Sequence, residues 1–143
     1  MKKNNYKLPC NIAQTLNIIG DKWTLLIIHE IMIGKNTFKE LENSLSGIAT
    51  NLLTNRLKDL IENDIIEIEK YSNHPVRYKY IMTQKGKDLQ DVFNAIIIWG
   101  KNYLEKCYKK LISVETNEEV EIRYFIKNEN KVLTREEVKV EDL

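Results

Sequence analysis

Residues 46–67, SGIATNLLTNRLKDLIENDIIE, decide how the rest of the chain is read. Leu53, Leu57, Leu60 and Ile61 recur at a helical period, so the segment is predicted to be an amphipathic helix. No acid stands between Ala49 and Lys58, and Thr50, Asn51, Thr54, Asn55 and Arg56 crowd the N-terminal half; Asp59, Glu62 and Asp64 come only at the far end. A solvated helix favours the reverse order, because the macrodipole stabilises carboxylates near the N-terminus. On a helical wheel Leu53, Leu57 and Leu60 share one side, flanked by Ala49, Arg56 and Ile61, while Asn51, Thr54, Asn55 and Lys58 lie opposite. Asn, Thr and Lys can bond base edges and phosphates. A helix docked in a major groove needs a start free of acids, since phosphates surround it. The competing interpretation is an ordinary solvated face.

Working outward, Thr37 and Glu40 form a capping-box pattern before Phe38, Leu41 and Leu45, which gives a short helix. "SGI" then makes a tight turn into the quoted helix, and two short helices so joined form a helix-turn-helix. Upstream, Ile12, Ala13, Leu16 and Ile19 predict a helix that stops at Gly20. Asp21 is expected to cap a second, from Lys22 to about Met32, apolar on nearly every side and so central to the core, with His29 packed inside it rather than serving as a ligand. After Asp64 the period changes to two, and "IIEIEKY" and "VRYKYIMT" flank "SNHP", which predicts a β-hairpin. Arg77 and Lys79 leave one side of its second strand and His74 sits with Asn73 at its tip. A wing with such a tip can reach phosphates or a minor groove; the competing view is plain strand charge.

Thr83 is expected to cap one long helix through Leu111. Its apolar stripe, with Ile96, Trp99, Tyr103 and Cys107, is longer than a small domain needs, since about 28 residues reach ~40 Å; part of it is expected to meet another molecule. Residues 120–143 alternate again around "NEN", which predicts a second hairpin. The fold class is therefore mainly α (α+β): a winged helix-turn-helix with a long C-terminal helix over residues 1–111, and a C-terminal β-hairpin extension over 112–143.

Net charge over the 143 residues is +1, so the total identifies no partner. Its distribution says more: residues 1–110 carry 17 Lys/Arg against 12 Asp/Glu, and residues 111–143 carry 5 against 9. A basic body with an acidic tail hints at nucleic acid. No signal segment opens the chain, and no apolar run approaches the ~20 residues of a membrane span. Cys10 and Cys107 make no disulfide framework. A cytoplasmic protein with reduced thiols and no membrane partner is expected. Without a Gly-rich phosphate loop or a metal-spaced His/Cys cluster, no catalysis, metal or cofactor is expected.

With these elements in place, "CNIAQTLNIIGDKWTLLIIHEI", "FKELENSLSGIATNLLTNRLKDLIENDIIE" and "HPVRYKYIMTQKGKDLQDVFNAIIIWGKNYL" closely resemble the HxlR-type winged helix-turn-helix transcriptional regulators, relatives of the MarR group. The resemblance spans about residues 10 to 104. It implies a homodimer on a roughly palindromic operator of double-stranded DNA, with the quoted helix as recognition helix. It also implies an interface built from the first and last helices, hence Ile12, Leu16, Ile96, Trp99 and Tyr103. Carried over by position, Asn51, Thr54, Asn55 and Lys58 face the groove, and Arg56 and Arg77 match arginines usual in the recognition helix and wing. Lys22 matches the lysine before Trp23, whose ring is expected in the core.

Three departures bear on affinity. Ala49 stands where Ser is usual, so Thr50 is expected to cap; Asn51 replaces a common cation, which predicts a smaller salt dependence; Thr37 replaces a frequent Arg. Cys10 matches the cysteine through which some members sense oxidants or electrophiles, and a thiolate near a helix start gains from the dipole; a small packed residue is the alternative. A small-molecule or oxidant effector stays open. So does a winged-helix interaction module without DNA binding.

Overall fold

The computed structural model describes residues 5–106 and 109–141. The chain divides into two compact units, residues 1–90 and 91–143. The first holds α1 (Asn11–Ile19), α2 (Thr24–Met32), α3 (Phe38–Ser44), α4 (Thr50–Glu62), the antiparallel hairpin β1 (Ile66–Asn73) and β2 (Val76–Met82), and the one-turn α5 (Gln84–Lys87). The core forms where the apolar sides of these elements meet. Ile27, Ile28 and Ile31 of α2, Leu41 of α3, Leu53, Leu57 and Leu60 of α4, and Ile65, Ile66 and Met82 at the hairpin root are all buried. Asp21 accepts hydrogen bonds from the backbone N–H of Trp23 and Thr24 and from the Thr24 hydroxyl, which fixes the start of α2. α2 is not buried on every side, although its sequence is apolar almost all round: Leu26 is 48% exposed. His29 is half-buried beside Glu30, at 3.6 Å.

α3 begins with the expected reciprocal cap. The Thr37 hydroxyl oxygen accepts from the Glu40 N–H, and the Glu40 carboxylate accepts from the Thr37 N–H at 2.9 Å. Gly47, at φ +93°, makes the turn into α4, a conformation few side chains tolerate. The α3–turn–α4 unit and the hairpin together make a mixed α+β winged helix-turn-helix. Ile66 faces Met82, Ile68 faces Tyr80 and Lys70 faces Tyr78, with an irregularity between Lys70 and Ser72 near the tip. The Tyr80 N–H donates to the Asn36 carbonyl at 2.7 Å, pinning the hairpin to the turn before α3.

The long helix predicted from Thr83 to Leu111 is corrected. Thr83 does cap, its hydroxyl accepting from the Gly86 N–H, but the helix it starts ends at Lys87. The same hydroxyl donates to the Asp64 and Ile65 carbonyls, and a Cβ on Gly86 would collide with the Ile65 carbonyl oxygen. These ties hold the turn against the hairpin root. A new helix, α6 (Gln90–Tyr103), follows and stops eight residues short of Leu111. Its 14 residues span about 21 Å rather than 40 Å. Cys107 lies outside the described residues. Beyond α6, Ile112 bridges Glu119, and β3 (Tyr124–Ile126) pairs with β4 (Lys131–Leu133) around the expected turn. Among the described residues no helix is long and apolar enough to cross a membrane.

Candidate nucleic-acid interface

α4 separates its two sides as its sequence dictates. Leu53, Leu57 and Leu60 are buried, and Asn51, Thr54, Asn55 and Lys58 are exposed. The Thr54 hydroxyl donates back to the Thr50 carbonyl at 2.9 Å, while Lys58 has among the described residues a loose ion pair with Glu62, at 3.7 Å one turn on. The four side chains form a rim that contributes no carboxylate of its own.

Two further residues of α4, Thr50 and Arg56, are engaged within the protein. Thr50 is not the cap. Ala49 occupies that position without a side-chain bond, and the Thr50 hydroxyl donates to Glu42 of α3 at 2.9 Å. The fold thus brings one acid to the start of α4 that a reading of α4 alone could not see; its place in α3 was the available signal. Lys39 holds it at 3.0 Å, and Lys39 together with the Thr50 hydroxyl lowers its carboxyl pKa below the usual range.

Arg56, matched to the recognition-helix arginine of the family, is engaged by two acids of its own fold. Its side chain is 19% exposed, with Nη1 donating to Asp59 at 2.9 Å and Nε 3.0 Å from Asp21. The Nε–H is misaligned with Asp21, so that contact is an ion pair rather than a hydrogen bond. Through it α4 is tied to the start of α2.

In the hairpin, His74 and Arg77 are exposed, and neither has an ion pair among the described residues. Lys79 is less available, because Glu69 directly across the ladder holds it at 3.1 Å. The Trp23 ring, expected in the core, is only half-buried, with the Lys22 ammonium over its face at 5.2 Å.

Cys10 is exposed at the N-cap of α1. The backbone N–H groups of Ala13 and then Ile12 lower its thiol pKa from the ordinary value. The segment before it is held by two amides the sequence did not reveal. Asn17 brackets Tyr6, accepting from its N–H at 2.7 Å and donating to its carbonyl at 3.0 Å, and Gln14 donates to the Leu8 carbonyl at 2.7 Å. Ile12, Leu16, Ile96, Trp99 and Tyr103 are 71, 44, 47, 57 and 70% exposed. No three His, Cys, Asp or Glu side chains converge as a metal site among the described residues.

Comparison with known proteins places these features. The model of the HxlR-like helix-turn-helix family matches residues 18–108. The HTH-type transcriptional regulator YodB of Bacillus subtilis is 36% identical over 94 residues, which cover 66% of this chain and 84% of that protein. Among solved structures, PA1607, described as a transcription-factor candidate, superposes with a TM-score of 0.77 at 28% identity, covering 94% of this chain and 96% of its own. The redox regulator HypR, in its reduced form, gives a TM-score of 0.60 at 29% identity, covering 67% of this chain and 95% of its own.

Proposed function

The chain belongs to the HxlR-like helix-turn-helix family of transcriptional regulators, and on that premise we propose that it binds a roughly palindromic operator in double-stranded DNA as a two-fold homodimer. Asn51, Thr54, Asn55 and Lys58 meet base edges and backbone in the major groove, while Arg77 and His74 of the wing reach phosphates or the adjacent minor groove. Arg56, Thr50 and Lys79 act behind them: Arg56 sets the pitch of α4 on α2, Thr50 ties α3 to α4, and Lys79 holds the wing strands together. The observation that carries this is the rim of α4, exposed and free of its own carboxylates beside a buried leucine side. A two-fold pair would present two such helices about one DNA turn apart. The exposed apolar side chains of α1 and α6 supply a surface for that pairing. Cytoplasmic placement follows from the proposed partner.

Cys10 is the proposed sensor. Its lowered thiol pKa and exposure suit attack on a quinone-type electrophile, the sulfur forming a bond to carbon and the ring taking up a proton. A two-electron oxidant such as hypochlorite would instead take two electrons from two Cys10 thiols, one per subunit, releasing two protons and leaving one disulfide. Either change would bias the DNA-bound population.

The test is a gel shift on the DNA upstream of the protein's own gene, with wild type beside Asn55→Glu and Arg77→Ala. A clear wild-type shift, weakened by both changes, is expected. Binding that is absent, or indifferent to both, would favour a winged-helix interaction module instead. Hypochlorite treatment followed by non-reducing electrophoresis tests the sensor: a Cys10-dependent dimer is expected, and its absence with unchanged DNA binding rejects that part.

A further inference from the structure

Within residues 91–141 an open cradle has one wall from α6, with Ile96, Trp99 and Tyr103, and another from the C-terminal extension, with Ile122, Tyr124 and Leu133. It holds about 1240 Å³, more than the roughly 300–1,000 Å³ typical of sites that bury a small ligand. Trp99, Ile122 and Tyr124 are 57, 45 and 43% exposed. Of the charges that line it, Lys101 is paired with Glu119 and Arg123 with Glu121, so covering the apolar wall would not strand these four; Asp91, Lys110, Arg135 and Glu136 also line it. On the other unit, Ile12 and Leu16 stand one turn apart and exposed on α1, Leu8 is exposed just before the helix, and Asn11–Ile19 contains no charged side chain. An exposed helix that carries two large apolar side chains and no charge suits an interface core, which is depleted of charged residues.

We propose that residues 110–136 are the second wall of the subunit interface, and that α1 of a second copy lies between this wall and α6, twice per dimer by two-fold symmetry. This rests on the dimer in the regulator reading and gives the C-terminal extension a role. Nearly all of that extension lies outside the residues matched to the family model, whereas PA1607 covers 94% of the chain.

Sedimentation equilibrium of the full chain tests it with Ile122→Glu in the extension wall, Trp99→Glu in the helix wall, and Val140→Glu, a site 96% exposed and away from the cradle. Dimer dissociation constants at least tenfold weaker are expected for the first two, and no change for the third. Because Ile122→Glu can also unfold the extension, a second measurement mixes two differently tagged copies that lack Cys10 and Cys107, one carrying Leu16→Cys and the other Ile122→Cys. A disulfide between the two tags under mild oxidation is expected. If Trp99→Glu dissociates the dimer while Ile122→Glu does not and no mixed disulfide forms, the extension wall is overturned and the dimer stands. If the wild-type chain is monomeric throughout, both fall.

Discussion

Among the described residues, thirteen of the fourteen buried apolar side chains lie before residue 91, and Phe93 is the one beyond it. The first unit closes its own core around α2, α4 and the hairpin root. The second leaves Trp99, Tyr103, Ile122, Tyr124 and Phe125 largely open to water, although its sequence is no less apolar. A unit that keeps its large side chains exposed has not completed its burial within one chain. The contrast fits the proposed division of labour: one half packs α4 on its own core, and the other offers surface for the proposed assembly.

The sharpest way to break this contrast is to truncate side chains in each half. Leu53→Ala, at a fully buried site, is expected to cost about 2–5 kcal/mol and to lower the melting temperature steeply. Ile122→Ala should leave the melting temperature of the isolated subunit nearly unchanged, measured by calorimetry at a concentration where dimers dissociate. Equal losses would erase the distinction between the halves.

The next effect separates strut from rim within α4. Arg56→Ala removes a part-buried guanidinium that contacts both Asp21 and Asp59 and should cost about 1–3 kcal/mol in urea unfolding. Asn51→Ala, on the exposed rim, should stay within about 0.5 kcal/mol while weakening operator binding. If Arg56→Ala weakened the operator complex with no loss of stability, Arg56 would return to the set of DNA contacts.

Smaller still is the cap of α3, where Thr37→Ala should cost about 1 kcal/mol. Glu40, whose carboxyl is held below the usual range by the Thr37 hydroxyl and then its N–H, adds a pH signature. A carboxyl lowered on folding stabilises the fold above its unfolded pKa, and that contribution disappears as pH falls through the folded value. The Thr37→Ala difference should accordingly shrink in acid. Cys10 gives the mildest effect: its alkylation by iodoacetamide should reach half-maximal rate at a lower pH than a free cysteine thiol does.

Local pattern made the platform legible. The leucine spacing of α4, the Thr37–Glu40 box and the two-residue period of the hairpin each depend on residues within a few positions of one another, and each formed as expected. What was not legible depends on distant partners. Arg56 reads as a recognition-helix cation until Asp21, far away in sequence, is brought beside it. Thr50 reads as a cap until α3 presents Glu42. The long helix reads as unbroken until Thr83 and Gly86 are seen fastened to the carbonyls of the hairpin root. The amide clamp on Tyr6 and Leu8 escaped notice because Asn and Gln on a helix surface look like ordinary solvated residues.

A hydroxyl-radical footprint on the DNA upstream of the gene, wild type beside Asn55→Glu, bears on the carboxylate-free rim most directly. Wild type should protect two blocks on one face of the duplex, centred about 10 base pairs apart or a multiple of that, and Asn55→Glu should abolish both. Protection that survives a carboxylate at position 55, or that never appears as a symmetric pair, would contradict the account.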